Sequence, residues 1–235
     1  MNSMVGRGGF TLLVFDWDGT LMDSIDRIVA SMEAAATDLD LVPLERVDVL
    51  NIIGLGLPEA IARLFPQAGQ DMHSRFADRY RHYFVEASPV PAPLFPGAAA
   101  TLASLREQGY LLAVATGKAR RGLDRALADT GCAHFFHASR CADEVKSKPH
   151  PQMLLEIMAQ LDVPAHATLM IGDTDYDMKM AVNAGVPALA VSYGVHTGER
   201  LRQHGPLACL DAIGELVPWL ARYMEVDKHA ATLTI

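Results

Sequence analysis

The sequence predicts an α/β fold, with a three-layer parallel-sheet core and an inserted α-helical cap. Short apolar runs with β-like composition alternate with helix-like segments, and one long interval contains helix-like segments only. Alternating strands and helices predict a parallel sheet with helices on both faces. Runs that are apolar throughout are typical of strands buried on both sides.

Five runs are predicted to be strands. They are Thr11–Phe15, Tyr110–Ala115, His134–Ala138, Thr168–Ile171 and Ala188–Val191. Helical segments separate the last four. Pro96 and Gly97 open a predicted helix over Ala98–Gln108, and prolines also stand at the start of His150–Leu161.

The interval between the first two predicted strands carries apolar residues at helical spacing. Its predicted helices are Asp23–Asp38, Leu44–Asn51, Pro58–Leu64 and Asp71–Ala87. A proline-rich stretch, Ser88–Pro96, then returns the chain to the sheet. We therefore predict a core domain of residues 1–21 and 93–235, and a helical cap of residues 22–92.

Composition limits the partners and the location. The net charge of −8 disfavours nucleic acid, because affinity for phosphate backbones depends on clustered Lys and Arg. The three cysteines show no CxxC spacing, so they predict reduced packing residues rather than disulfides or a zinc site. No apolar stretch approaches the roughly 20 residues of a membrane span, and no secretion signal is recognisable. We expect a cytoplasmic protein without a membrane partner, and both monomer and dimer stay open.

Polar clusters follow three of the predicted strands, and a fourth cluster lies in a loop between two others. The clusters are Asp16-Trp17-Asp18-Gly19-Thr20, Thr116-Gly117-Lys118, Lys146-Ser147-Lys148-Pro149 and Gly172-Asp173-Thr174-Asp175-Tyr176-Asp177. Functional residues of an open parallel sheet collect at the carboxyl ends of its strands. The sequence therefore predicts that the clusters form one site.

These clusters resemble the motifs of a known family. The segments DWDGTLMDS, ATGK, SKPHP and GDTDYD are similar, in order and spacing, to the four motifs of the haloacid dehalogenase superfamily, in particular its phosphatases with a helical cap. The resemblance runs from about Leu12 to Val191. The segment GLGL at Gly54–Leu57 also resembles phosphoglycolate phosphatases. The resemblance implies a Rossmann-like core and a cap that opens to admit substrate.

The implied reaction is Mg²⁺-dependent hydrolysis of a small phosphorylated metabolite, with 2-phosphoglycolate as the leading candidate. A carboxylate can attack phosphorus to form an aspartyl-phosphate, and the resemblance makes Asp16 this nucleophile. Two carboxylates two residues apart on an extended segment face the same way, so Asp18 can serve as acid and base. Thr116 can donate a hydrogen bond to phosphoryl oxygens, and Lys148 supplies a positive charge.

Further carboxylates predict a cation. Asp173 and Asp177 would repel a substrate dianion unless a cation were bound, and Mg²⁺ suits carboxylates, a carbonyl and water. By resemblance the ion is held by Asp16, the backbone carbonyl of Asp18 and Asp173. Asp177 is expected to hold a metal-bound water or Lys148 instead. Asp175 is expected to point elsewhere, although it stays open as a ligand.

Other residues are candidates for binding substrate. The amides of Trp17 and Gly117 can contact phosphate, and the Trp17 side chain can shape the pocket. Lys118 fits a solvated lysine at a helix start, with a substrate contact as the alternative. Gly54 is the candidate in the cap. Four cap arginines can reach a substrate carboxylate, and Lys146 is the alternative to Lys148. The arginines are Arg63, Arg75, Arg79 and Arg81.

Three other functions stay open. A carbon–halogen hydrolase of the same superfamily is disfavoured, because release of a halide needs no proton and Asp18 would be superfluous. A phosphosugar mutase resembling β-phosphoglucomutase would retain the same core. A non-catalytic phosphoacceptor or binding module is disfavoured, because Asp18 supplies a means to hydrolyse the acyl phosphate.

Overall fold

The core is a six-stranded sheet in which every neighbouring pair of strands is parallel. The computed structural model describes residues 9–232. The strands are β1 Leu12–Phe15, β2 Leu111–Thr116, β3 Ala138–Cys141, β4 Thr168–Gly172, β5 Ala188–Val191 and β6 Cys209–Leu210. Their order is β3-β2-β1-β4-β5-β6. The chain builds one half of the sheet outwards from β1 and then the other, so the strand order reverses between β1 and β4.

The described residues contain ten α-helices. They are α1 Ile25–Asp38, α2 Arg46–Leu50, α3 Leu57–Leu64, α4 Gln70–His82, α5 Ala98–Glu107, α6 Arg120–Thr130, α7 Gln152–Leu161, α8 Asp175–Ala184, α9 Gly198–Arg202 and α10 Leu216–Thr232. No helix within residues 9–232 combines the length and apolarity needed to cross a bilayer.

Successive residues of β1 belong alternately to two hydrophobic clusters. Leu13 and Phe15 pack with residues of α5 and α10 on one face of the sheet. Leu12 and Val14 pack with residues of α7 and α8 on the other. Because side chains of a strand alternate between faces, a fully apolar strand is stabilised only when both faces are covered. This confirms the predicted layered α/β architecture.

The helices α1 to α4 lie between β1 and α5 and share a third hydrophobic cluster. Ile28 and Met32 of α1 pack in it with Phe76 of α4, which is completely buried. After α4 the helix continues as a π-helical turn, Tyr83–Ala87, rather than as the single helix predicted. We call residues 22–92 the cap below.

The two connections between cap and core run side by side. The amide of Asp23 donates to the carbonyl of Pro93 at 2.8 Å, and the amide of Phe95 donates to that of Leu21 at 2.9 Å. These bonds lie next to the predicted domain boundaries at residues 21 and 93. The division into two domains stays a prediction, and residues 1–8 and 233–235 lie outside the described part of the chain.

Two sequence predictions about the sheet need correction. The third strand is not His134–Ala138, because Ala133–Phe135 forms a 3-10 turn and the strand begins at Ala138. The two middle residues of the real strand, Ser139 and Arg140, are polar and only partly buried, so its pattern does not stand out as apolar. The sixth strand, with two residues, is too short to give any periodic signal.

Candidate active site

The site lies where the strand order reverses. Asp16 follows β1 directly, and Asp173 follows β4. The two strands are paired, and the amide of Asp16 donates to the carbonyl of Ile171 at 2.9 Å. Ligands of open α/β sheets bind in the crevice at such a switch point. The sequence prediction that the first and fourth motifs meet at one sheet edge is confirmed.

Three buried carboxylates form a cluster in this crevice. Oxygen atoms of Asp16, Asp173 and Asp177 all lie within 4.8 Å of one another, and each residue is at most 1% exposed. The Lys148 ammonium lies among them, 2.8 Å from Asp16 Oδ1 and 2.6 Å from Asp177 Oδ1. Lys148, not Lys146, is the lysine of the site, because Lys146 is exposed.

The electrostatics of the cluster follow from burial. Burial raises the pKa of Asp16 well above its usual range; Lys148 opposes this shift, while Asp177 and Asp173 add to it. Burial, with the charge of Asp177, raises the pKa of Asp173 to about 7. Burial alone would lower the pKa of Lys148, but the carboxylates of Asp16 and Asp177 outweigh it and the pKa is raised. The lysine is therefore charged, and the carboxylates are short of positive charge.

Asp173 is fixed by hydrogen bonds to both of its oxygens. Thr20 Oγ1 donates to Oδ1 at 2.7 Å, and the amide of Val195 donates to Oδ2 at 2.8 Å. Gly19 makes this approach feasible, since a Cβ at that position would lie 2.1 Å from Asp173 Oδ2 and its φ is +80°. A glycine tolerates both conditions, and other residues do not.

Asp177 is oriented by the start of α8. Thr174 and Asp177 form a capping box, in which Asp177 Oδ2 accepts from the Thr174 amide at 3.1 Å and from its hydroxyl at 2.6 Å. Such reciprocal bonds satisfy the free amides of a helix start. The other oxygen, Oδ1, holds Lys148. This contact agrees with the expectation that Asp177 holds the lysine.

Asp18 lies on the side of the site that faces the cap. Ser24 Oγ donates to its Oδ1 at 2.6 Å, and Lys118 Nζ lies 3.0 Å from both carboxylate oxygens. Lys118 Nζ also lies 4.7 Å from the ring centroid of Phe84, a cap residue. Its side chain is only 9% exposed, so the interpretation of Lys118 as a solvated lysine is wrong. Its burial results from the position of the cap, which the sequence did not reveal.

Two further predicted site residues, Thr116 and Trp17, are buried. Thr116 ends β2, is 1% exposed, and its hydroxyl accepts from the amide of Lys118 at 3.2 Å. The Trp17 side chain is fully buried in the hydrophobic core, where it contacts Phe136 and Met22. The idea that this side chain shapes the pocket is not supported. Only its backbone amide, which donates to Asp16 Oδ1 at 2.7 Å, faces the site.

A cap loop lies directly on the motif loops of the core. The amide of Gly56 donates to Ser147 Oγ at 2.7 Å. A Cβ on Gly117 would lie 2.5 Å from the carbonyl oxygen of Leu55 and 2.7 Å from that of Gly54. The predicted candidates Gly54 and Gly117 are thus brought together, as a backbone contact between cap and core. This contact covers the crevice.

Of the four predicted cap arginines, only Arg63 contacts the core, through the hydroxyl of Tyr176. Arg79 pairs with Asp38 and Arg81 with Asp78, both inside the cap, and Arg75 is exposed. Asp175 is turned away from the carboxylate cluster. Its carboxylate pairs with Lys179 and Arg200, and its backbone amide donates to His196 Nδ1 at 3.0 Å.

Sequence reasoning missed several residues of the site. Arg27 of α1 donates to the carbonyl of Phe84 and lies 5.1 Å from its ring centroid. Burial raises the pKa of Tyr80, and the negative charge of Asp18 raises it further. Neither belongs to a motif, and only tertiary packing brings Tyr80 near Asp18 and Arg27 onto Phe84. Ser147 and Thr20, in contrast, stand inside predicted motifs and could have been named from them.

Comparison with known proteins agrees with this geometry. Residues 13–191 match the family model described as haloacid dehalogenase-like hydrolase. A protein named a probable phosphatase, IndB, from Dickeya dadantii is 37% identical over 210 residues, covering 88% of this chain and 91% of that protein. A phosphoglycolate phosphatase from Pseudomonas fluorescens is 30% identical, with 88% of this chain and 78% of that protein covered.

Solved structures show the same fold. A predicted phosphoglycolate phosphatase from Haemophilus somnus superposes with a TM-score of 0.80 at 26% identity, covering 91% of this chain and 99% of that one. A hydrolase from Pseudomonas syringae gives a TM-score of 0.82 at 21% identity, covering 90% and 98%. With its switch-point carboxylates, its four motifs and this match over most of its length, the chain belongs to the haloacid dehalogenase-like hydrolases.

Proposed function

We propose that the chain is a Mg²⁺-dependent phosphomonoester hydrolase that acts through an aspartyl-phosphate on Asp16. One observation carries the proposal. A buried carboxylate, Asp16, lies against a charged lysine in the crevice, while a second carboxylate, Asp18, stands two residues later on the side of the cap. A nucleophile that attacks phosphorus and a separate acid and base are the two groups that this hydrolysis needs.

The residues present fit a divalent cation. Three buried carboxylates share one ammonium, so full ionisation of the cluster needs more positive charge than Lys148 supplies. Carboxylate oxygens are the ligands that Mg²⁺ prefers. Asp16, Asp173 and the backbone carbonyl of Asp18 would hold the ion, and Asp177 would keep Lys148 in place. When bound, Mg²⁺ supplies positive charge that offsets the charge of the transferring phosphoryl group.

The proposed hydrolysis runs in two steps. In the first, a carboxylate oxygen of Asp16 attacks phosphorus, the bond from phosphorus to the ester oxygen breaks, and Asp18 gives its proton to the departing alkoxide. In the second, Asp18 takes a proton from water, whose oxygen attacks phosphorus and releases Asp16 and inorganic phosphate. Lys148 stabilises the charge of the transferring group in both steps, with Thr116 and the amides of Trp17 and Gly117 as hydrogen-bond donors.

The substrate is proposed to be small and anionic, with 2-phosphoglycolate as the leading compound. Relatives named phosphoglycolate phosphatase support this choice. Lys118 and Arg27 bring two positive charges to the cap side of the site, both against the ring of Phe84. A carboxylate on the leaving group can therefore replace Asp18 as the partner of Lys118 once Asp18 is protonated.

The cap is proposed to open and close as a unit over residues 22–92. Asp16 is 1% exposed and lies below the contacts of the cap loop with Gly117 and Ser147, so substrate needs an opening to reach it. We also propose a cytoplasmic location, since the three cysteines are free thiols and thiols persist in reducing compartments.

Phosphate release from a panel of phosphomonoesters tests the proposal. The panel includes 2-phosphoglycolate, sugar phosphates and nucleotides, each assayed with Mg²⁺ and with EDTA. We expect turnover with Mg²⁺ that EDTA abolishes, and the highest kcat/KM on 2-phosphoglycolate. Turnover that EDTA leaves unchanged would contradict the metal assignment. Isomerised sugar phosphates without free phosphate would favour the mutase.

A further inference from the structure

A second cleft lies at the seam between cap and core. It has a volume of about 360 Å³ and is lined by residues from both sides. The cap contributes Asn51, which follows α2, and Arg63 of α3, while the core contributes Asp175, Tyr176 and Lys179 of α8 and Arg200 of α9. None of the residues assigned above to the reaction lines it.

The cleft is separated from the carboxylate cluster by α8 itself. Asp177 faces the cluster and holds Lys148, whereas the Asp175 carboxylate is held by Lys179 and Arg200. Residues two apart on a helix project to nearly opposite sides, since each residue turns the helix by about 100°. The two sites therefore lie on opposite sides of α8 and are lined by different residues.

The hydrogen bonds of the cleft join the cap to the core. Arg200 Nη1 donates to Asn51 Oδ1 at 2.7 Å, and the hydroxyl of Tyr176 donates to the backbone carbonyl of Asn51 at 2.5 Å. Arg63 donates to the same hydroxyl and lies 5.7 Å from the ring centroid of Tyr176.

The charge of the cleft is opposite to that of the whole chain. The chain carries a net charge of −8, yet this cleft brings three cations to a single carboxylate. Lys179 and Arg200 share Asp175 Oδ2, at 3.0 and 3.1 Å. Arg63 contacts a neutral hydroxyl, and it takes part in none of the ion pairs found among residues 9–232. Two positive charges are thus left uncompensated.

We propose that this cleft binds a small phosphate dianion, either inorganic phosphate or the phosphate of a small metabolite. Guanidinium groups bind phosphate oxygens through paired charge-assisted hydrogen bonds, and a lysine adds a point charge. Arg63, Lys179 and Arg200 supply these groups around one cleft. Because Arg63 belongs to the cap and the other two belong to the core, a bound dianion favours the arrangement in which the cap lies on the core.

Binding in EDTA separates this cleft from the active site. Without a divalent cation the cluster offers phosphate only Lys148, which Asp16 and Asp177 already hold, so the cleft is the expected site. Calorimetric titration of the wild-type chain with inorganic phosphate, and in a second arm with phosphonoacetate, gives the affinity for each source of the dianion. We expect a stoichiometry of one per chain. Tighter binding of phosphonoacetate would identify a phosphorylated carboxylate as the occupant, and tighter binding of phosphate would identify the free ion.

A charge-matched pair of variants tests the assignment. Arg63→Gln with Lys179→Gln removes two cleft cations at exposed positions, and Arg75→Gln with Arg121→Gln removes two exposed cations elsewhere. Removing two charge-assisted donors weakens a site for a dianion, so we expect affinity to fall about tenfold or more in the first pair and to stay near wild type in the second. Equal affinity in both pairs, or no binding by the wild type, would overturn the proposal.

A crystal soaked in tungstate, a heavy analogue of phosphate, gives the position directly. We expect an anomalous peak between Arg63, Lys179 and Arg200. A peak only at Lys148, or no peak in the cleft, would contradict the assignment. None of these measurements needs turnover, so their failure is distinguishable from failure of the proposed phosphatase activity.

Discussion

The active site has a core side and a cap side, which differ in burial and in the residues that form them. On the core side, Asp16, Asp173, Asp177 and Lys148 are at most 1% exposed, and they belong to loops and to the start of α8 at one sheet edge. On the cap side, Asp18 and Lys118 have side chains 13% and 9% exposed, and Lys118 contacts Phe84 of the cap. The ion pairs of the core side are formed by core residues alone, whereas the cap side includes Phe84 of the cap. In the proposed reaction, the groups that transfer phosphate therefore lie apart from the group that protonates the leaving alkoxide.

Asp16→Asn is expected to have the largest effect, because it removes the nucleophile on the core side. We expect kcat to fall by about 10⁴-fold or more, as for other nucleophile replacements. Phosphate release measured under saturating substrate checks this, with the exposed Asp71→Asn as a control that keeps wild-type activity. Retention of more than a few per cent of activity in Asp16→Asn would assign the nucleophile elsewhere.

Asp18→Asn tests the division between the two sides. An amide can neither protonate the departing alkoxide nor accept a proton from water, so both steps slow, and we expect kcat to fall roughly 10²- to 10⁴-fold. With p-nitrophenyl phosphate, whose leaving group needs no proton, the first step still runs, and rapid-quench measurements are expected to show the phosphorylated enzyme accumulating. A loss of the first step alone, with no phosphorylated enzyme, would mean that Asp18 belongs functionally to the core side.

Gly117→Asn tests whether the close contact of cap and core matters. Its Cβ would lie 2.5 Å from the carbonyl oxygen of Leu55, so the cap loop must move away. Misplacement by about 1 Å costs on the order of 10²-fold in rate, and we expect a loss of kcat/KM of this size. The matched control is Gly69→Asn, where an added Cβ meets nothing within 4 Å. Equal kinetics in the two variants would show that the cap contact is dispensable.

Ser147→Ala is expected to have the smallest effect. It removes the acceptor of the Gly56 amide, which lies 2.7 Å away, and a neutral hydrogen bond contributes about 1 kcal/mol. We expect kcat/KM to fall about fivefold while the free energy of unfolding of the core changes little. The control is Ser74→Ala on the exposed face of α4. A loss as large as that of Asp18→Asn would mean that Ser147 has a role in the reaction itself.

Sequence reasoning placed residues correctly where their positions depend on local order. Asp16 and Asp173 end two apolar strands, and parallel strands bring their carboxyl ends together, so their meeting at one edge follows from topology. The role of Asp177 also has a local cause, because its capping box with Thr174 fixes the start of α8.

Sequence reasoning failed where function depends on how the cap lies on the core. In the sequence, Lys118 resembles a surface lysine. In the structure its ammonium group lies over the ring of Phe84, a residue far from it in the chain. Arg27 and Tyr80 belong to no motif. Four other arginines of the cap were equally good candidates for the site from the sequence alone. Which helix face meets the core is decided by tertiary packing, and helical periodicity alone does not reveal it.

Trapping the covalent intermediate tests whether Asp16 is the nucleophile. The enzyme is mixed with Mg²⁺ and its best substrate, quenched in acid, treated with hydroxylamine and analysed by peptide mass spectrometry. An acyl phosphate is converted to a hydroxamate at the residue that carried it. We expect this modification on Asp16, and only in samples that contained substrate. Continued phosphate release with no modification of Asp16, or with modification of another carboxylate, would contradict this assignment.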